Sequence, residues 1–158
     1  MAAPKWGEAT WNLFHGSAMA VQESVFEENP VFHTELIQVY IDICDHLPCP
    51  ECRQHAQKEV HEKIQWSSVR RKIDLQSNLH AFHNRVNQRT GKERFNVNYL
   101  SACYAPVAER LFTQVIPNFV REFGKPVRDI HYQYDNAMRV QCVERVRQWF
   151  EANKKHFQ

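Results

Sequence analysis

The residues best suited to chemistry stand together at 47–55, reading Leu-Pro-Cys-Pro-Glu-Cys-Arg-Gln-His. Cys49 and Cys52 are one helical turn apart, and Pro50 between them occupies a position that suits the first residue of a helix. Two thiols so spaced can close as a short disulfide. A helix beginning at Pro50 would set its unsatisfied N–H groups and positive dipole end beside both sulfurs. That favours the thiolate, the form that exchanges electrons with another disulfide or with a cofactor. His55 follows Cys52 by three residues and shares its face, where an imidazole can hydrogen-bond a cofactor or help with a proton.

A second set lies at 74–89. Leu75, Leu79, Phe82 and Val86 make a core stripe at helical spacing, while His80, His83, Asn84 and Asn87 line another side at steps of three and four. A solvated helix face usually carries Lys and Glu. Two imidazoles and two amides instead offer donors and acceptors to a ligand rich in heteroatoms, or to a metal. Near the N-terminus Trp11, His15 and Ala18 form a comparable second stripe on a helix expected over 6–26, whose core stripe is Trp6, Leu13, Phe14, Ala18, Val21 and Val25.

These sets need helices to position them, and the chain supplies them. Asn29-Pro30 breaks the first helix. Phe32, Leu36, Val39, Tyr40 and Ile43 make one face of a second over 31–47, stopped at Pro48. A third runs from Pro50 to about 64, and Gly91 closes the helix of 74–89. Short helices are expected at 107–115 and 117–123, begun by Pro106 and Pro117 and closed at Gly124. Asp135 is expected to cap a final helix with Ala137, Met138, Cys142, Val146, Trp149 and Phe150 on its apolar side.

With 158 residues and only four glycines, the composition favours one all-α unit. Twenty basic against eighteen acidic residues leave a net charge of +2 with no basic block, so neither nucleic acid nor an anionic membrane is an expected partner. No apolar run is long enough for a membrane span, and the first residues lack the features of a leader, so a cytoplasmic protein is expected. Five cysteines, an odd number, suit catalytic or metal-binding use better than a disulfide scaffold. Cys44 and Cys142 sit in apolar stripes and are expected to be buried filler.

Thr10 to His15 (Thr-Trp-Asn-Leu-Phe-His), Cys49-Pro-Glu-Cys52, and His80 to Lys92 with its His-Asn-Arg-Val-Asn core followed by Gly-Lys together resemble the Erv/ALR family of flavin-dependent sulfhydryl oxidases. The likeness covers about 6–99 and looks nearest to members encoded by large cytoplasmic DNA viruses, which suggests host cytoplasm or virion. It implies a four-helix bundle that binds FAD, over 1–103, followed by a helical extension over 104–158. It also implies an enzyme that passes electrons from thiols of substrate proteins, through a Cys49–Cys52 disulfide, to FAD and then to molecular oxygen, giving disulfides and hydrogen peroxide. By motif position Cys52 is the flavin-proximal sulfur and Cys49 the one attacked by substrate. Trp11, His15 and His55 look like contacts to the flavin ring. His83, Asn84, Val86, Asn87 and Lys92 fall where the family holds the adenosine and phosphates, with Tyr99 near the adenine.

A homodimer is implied too, and the first two helices carry more apolar faces than one four-helix core uses. The chain departs from the family pattern at 96–98, where Asn-Val-Asn stands in place of a flanking cysteine, and it shows no upstream C-x-x-C. The competing reading is a zinc-binding interaction module built from Cys49, Cys52, His80 and His83, although the His-x-x-His spacing is narrow for such a site. A thioredoxin-like reductase is excluded by the lack of a βαβ pattern around the thiols.

Overall fold

The computed structural model describes residues 5–157. Its regular elements are helical: α1 (Trp6–Ala20), α2 (Glu23–Glu28), α3 (Pro30–Cys44), α4 (Pro50–Lys58), α5 (Lys72–Arg89), α6 (Leu100–Glu109), α7 (Ile116–Phe123) and α8 (Gln133–Ala152). Among the described residues the extended pairing is limited to one isolated antiparallel bridge, between Val21 and Phe157. The all-α class expected from periodicity and from the scarcity of glycine is therefore the class observed.

Helix α1 is the axis of the molecule, packed on α5 on one side and on α6 and α7 on others. Its core stripe, Leu13, Phe14 and Ala18, is buried, and so are His15, Gly16 and Ser17 on the flanking faces. Gly16 permits the close approach of α6: a Cβ there would meet Val107 Cγ1 at 3.0 Å. The surplus of apolar faces on the first helix is thus taken up within the chain. The stripe of α3 is buried as its spacing predicts, with Phe32, Leu36, Val39, Tyr40 and Ile43 all in the core.

The first helix ends earlier than periodicity suggests. Val21 leaves the helix with ψ near 135°, and the N–H of Gln22 donates to the carbonyl of His156 at 2.9 Å instead of continuing the ladder. Gln76 Nε2 donates to the Ala18 carbonyl at 3.3 Å. A chain end remote in sequence therefore splits 6–26 into α1 and α2, a tertiary effect that leaves no mark in local spacing. Asn29 and Pro30 behave as read: Asn29 Oδ1 accepts from the Phe32 N–H at 3.1 Å, and Pro30 opens α3.

Two other boundaries differ. Pro106 lies inside α6, which begins at Leu100. The carbonyl one turn back belongs to exposed Ala102, so water can replace the hydrogen bond that proline cannot give. Pro117 does stand in the first turn of α7, after a π-helical turn at Leu111–Val115. Asp135 is not the cap of α8 but lies in its first turn, a position that the helix dipole favours for a carboxylate.

Arg139, 1% exposed, ties α8 to the end of α7 by donating to the carbonyls of Phe123 and Lys125, each at 3.0 Å. Phe119, Phe123, Cys142, Val146 and Phe150 join Leu13, Phe14, Tyr40 and Leu79 in one hydrophobic cluster. The expected division between 103 and 104 falls within α6.

Candidate active site

The redox pair is placed by local sequence. Pro50 is the first residue of α4, and Cys49 is its N-cap, with Sγ accepting from the Cys52 N–H at 3.2 Å. Cys49 and Cys52 are joined as a disulfide, their Cα atoms 5.1 Å apart. An N-cap sulfur at the positive end of a helix is where a thiolate would be favoured once the bond opens.

Cys52 also forms part of the wall of a cavity of about 610 Å³. Helix α1 contributes Trp11 and Phe14, and α5 contributes Phe82, His83, Val86, Asn87 and Arg89. Lys92 closes the rim just beyond the turn at Gly91, whose φ of 76° permits the reversal that ends α5. The wall is mainly apolar and aromatic with a few polar groups, the usual make-up of a small-molecule site.

Trp11 is the central aromatic. Its ring lies flat on His83, 3.9 Å between centroids and 6° between planes, and meets Phe82 edge-on at 5.1 Å. Behind it His15, 3% exposed, shares a hydrogen bond of 2.9 Å between its Nε2 and His83 Nδ1. Burial pushes His15 down to about 3 and His83 to about 4, with smaller contributions from neighbouring positive groups. Both imidazoles are thus neutral at pH 7, and one proton shared along their common bond leaves one ring to donate and the other to accept.

Of the expected site residues, the catalytic Cys52 and the ligand candidates Trp11, His83, Val86, Asn87 and Lys92 are brought together in this cavity. His15 stands behind it. His55 opens into an adjoining cavity of about 400 Å³ with Lys58, Glu59, Lys63, Arg85 and Arg89, which shares Val86 and Arg89 with the first. Glu59 there is buried and ion-paired to Arg85 at 2.6 Å, leaving the cavity wall predominantly basic.

Asn84 is turned away from the main cavity. It accepts from the Phe95 N–H at 2.7 Å and donates to the Phe95 carbonyl at 2.9 Å, and His80 Nε2 bonds the same carbonyl at 2.7 Å. Tyr99 is 61% exposed and lies outside the cavity wall. Tyr104 is the tyrosine that lines it, 4.4 Å from His15 between ring centroids, and burial pushes its hydroxyl up to about 12. Sequence reasoning passed over Tyr104. The signal was available in the spacing of Tyr104, Val107 and Ala108, which share a face once α6 is begun at Leu100 rather than at Pro106.

Cys44 lines the cavity as well, but its burial holds the thiol far above the ordinary range, and the same is true of Cys142. Both are buried, as expected, whereas Cys103 is exposed. The four residues of the zinc reading do not form a set of ligands: both sulfurs are used in the disulfide, His80 is bonded to Phe95, and His83 to His15. Among the described residues the ligand atoms that converge are those of Asp42, His46 and Cys142. That group is already satisfied internally, with Asp42 gripped by Arg145 through both carboxylate oxygens.

Among the described residues, then, a helical fold sets a C-x-x-C disulfide at a helix N-terminus against an aromatic, amide-rimmed cavity. The model of the Erv1/Alr family matches residues 8–105, and the chain belongs to that family. No curated protein and no solved structure matches it.

Proposed function

We propose that the chain is an FAD-dependent sulfhydryl oxidase that introduces disulfides into substrate proteins, with the net change of two thiols and one O₂ into one disulfide and H₂O₂. Membership of the Erv1/Alr family supports a redox enzyme of this kind, since its members generally bind FAD. The observation that carries the reading is that Cys52 lines the same cavity as the stacked Trp11–His83 pair. A redox-capable sulfur and a slot suited to a flat aromatic ring share one wall.

The residues present fit the group. Trp11, Phe14 and Phe82 offer a planar ring apolar contact, and His83, Asn87 and Tyr104 offer hydrogen bonds at its edges. Lys92 and Arg89, with Lys58 and Arg85 in the adjoining cavity, would supply cations for the two phosphates, and His55 a ring nitrogen for a hydrogen bond. When bound, the flavin supplies an acceptor for two electrons that can also pass them to oxygen; the protein supplies position and electrostatics. In this assignment His55 serves the phosphate side rather than the ring, and Asn84 serves indirectly by holding Phe95.

The chain's own chemistry is thiol exchange. A substrate thiolate attacks Cys49, the S–S bond to Cys52 opens, and a mixed disulfide forms. A second substrate thiolate attacks the substrate sulfur of that bond, releasing substrate disulfide and leaving Cys49 and Cys52 reduced with the two electrons and two protons of the substrate thiols. Reduced Cys52 then faces the cavity, its thiolate stabilised by the N-terminal N–H groups of α4.

The region to 103, with Tyr104 just beyond it, is assigned the flavin, and the rest of the C-terminal helices a supporting and partner surface. Thiol-bearing proteins and oxygen are the proposed partners, together with a second copy of the chain. Because α1 is already covered by α6 and α7, a homodimer would use another face; sedimentation at micromolar concentration tests for it. The kinship of the motifs is proposed to lie with members encoded by large DNA viruses, acting in host cytoplasm or virion, which localisation of a tagged chain would test. No described helix is long and apolar enough to cross a membrane.

The deciding experiment is purification followed by oxygen uptake. Yellow protein with about one flavin per chain, consuming oxygen with dithiothreitol and losing that activity in Cys49→Ser and in Cys52→Ser, is the expected result. Full activity with both cysteines replaced would overturn the assignment.

A further inference from the structure

Arg53, next to the redox pair, makes contacts that reach outside the family region. Its Nη1 donates to the carbonyl of Leu47 at 3.3 Å, two residues before Cys49, and its Nη2 meets Asp135 Oδ2 at 3.4 Å. Asp135 lies in the first turn of α8, beyond the stretch 8–105 that matches the family. The guanidinium therefore bridges the loop that carries Cys49, the helix that carries Cys52 and the start of the C-terminal helix. Asp45, His46, Arg53, Tyr134, Asp135 and Met138 enclose a notch of about 250 Å³ at this junction. Arg139, one turn further along α8, is near enough for its charge to sense both Arg53 and Asp135, while its own hydrogen bonds go to Phe123, Lys125 and Asn136.

We propose that Asp135, acting through Arg53, is a positioning residue that tunes the reduction potential of the Cys49–Cys52 pair. This deepens the oxidase reading and rests on it. The ion pair is partly exposed, with side chains 23% and 33% accessible, so its contribution to stability is small. Its position makes its charge matter more than its bond. A cation near the pair stabilises the thiolates of the reduced form and makes the disulfide easier to reduce; a carboxylate beside that cation offsets the effect.

The sign of each substitution follows. Asp135→Asn leaves the guanidinium groups uncompensated, which favours reduced Cys49 and Cys52 and raises the potential. Arg53→Gln removes the cation beside the pair while the carboxylate stays, which disfavours the thiolates and lowers the potential. A clamp that acted only by holding the loop would be loosened in the same way by both changes. Opposite displacement is the signature of charge.

The test is anaerobic equilibration of the full chain with glutathione buffers. Two glutathione thiols give up two electrons and two protons, the Cys49–Cys52 bond opens to two thiols, and one glutathione disulfide forms. Trapping with an alkylating reagent and mass analysis of the peptide bearing both cysteines keeps Cys44, Cys103 and Cys142 out of the count. We expect displacements of about threefold in the exchange constant in opposite directions, about 14 mV each on the two-electron scale of 29.6 mV per tenfold. Both should shrink as salt is raised, because the groups are partly exposed. Arg53→Lys, which keeps the charge, should stay near the wild-type potential even where its melting temperature changes. Displacement in one common direction, or none in variants that melt cooperatively, would overturn the proposal. Oxygen uptake by the wild type tests the oxidase reading separately, since glutathione equilibration needs neither flavin nor oxygen.

Discussion

His80 with Asn84 and His83 with Asn87 are the same two residue types at the same spacing on one helix, yet they end in different surroundings. His80 and Asn84 grip the backbone of Phe95 and pin the segment that follows α5. His83 and Asn87 line the cavity, with His83 stacked under Trp11. A step of three residues rotates a side chain by about 60° from alignment on a helix of 3.6 residues per turn. That is enough here to divide one polar stripe into a half that latches backbone and a half that lines the cavity, the proposed binding half. Residue type alone does not tell a ligand from a latch; what the tertiary fold sets opposite each side chain does.

The largest effect expected from this division is on flavin. His83→Ala and Trp11→Ala should fold and purify with at least tenfold less flavin, because each removes a broad planar or hydrogen-bonding contact while leaving the core stripe in place. The ratio of absorbance at 450 and 280 nm, read beside a cooperative thermal melt, checks it. Full flavin in both variants would mean that the stacked pair is not the binding face.

Asn84→Ala should show the converse. Two hydrogen bonds to Phe95 are lost, costing about 1–2 kcal/mol, or about 2–8 °C in Tm at 2–4 °C per kcal/mol for a chain of this size. The folded variant should keep its flavin. Loss of flavin with an unchanged Tm in the flavin-free protein would erase the distinction between the two halves.

Acid should weaken the binding half. The folded pKa values of His15 and His83 lie near 3 and 4, below the 6.5 of an ordinary imidazole. Between these limits the unfolded chain binds protons that the folded pair does not. The contribution is therefore fully present above about 6.5 and is lost as pH falls toward 4. Urea midpoints of flavin-free protein at pH 7 and pH 4.5 should differ more for the wild type than for His83→Asn. Equal differences would remove His83 from the acid limb.

The smallest contrast concerns the two tyrosines. Tyr104→Ala opens the cavity wall beside His15 and should weaken flavin retention severalfold, whereas exposed Tyr99→Ala should leave it unchanged. Flavin release during dialysis of the two variants, compared side by side, reads the difference. Equal release would return Tyr99 to the site.

Several features needed only the sequence. The start of α4 at Pro50, with Cys49 as its cap, follows from proline's fixed φ and missing N–H; the end of α5 follows from a glycine able to adopt positive φ. The buried stripe of α3 follows from spacing alone. Such properties are local, set by a few neighbouring residues whatever else the chain does. The break at Val21 was decided by the pairing of Gln22 with His156, and the place of Asp135 by a helix that begins before it. The parting of His80 from His83, the choice of Tyr104 over Tyr99 and the displacement of His55 into the adjoining basic cavity were tertiary decisions as well. Each depends on which remote segment lies opposite a given side chain, and periodicity on one helix carries no information about its neighbours.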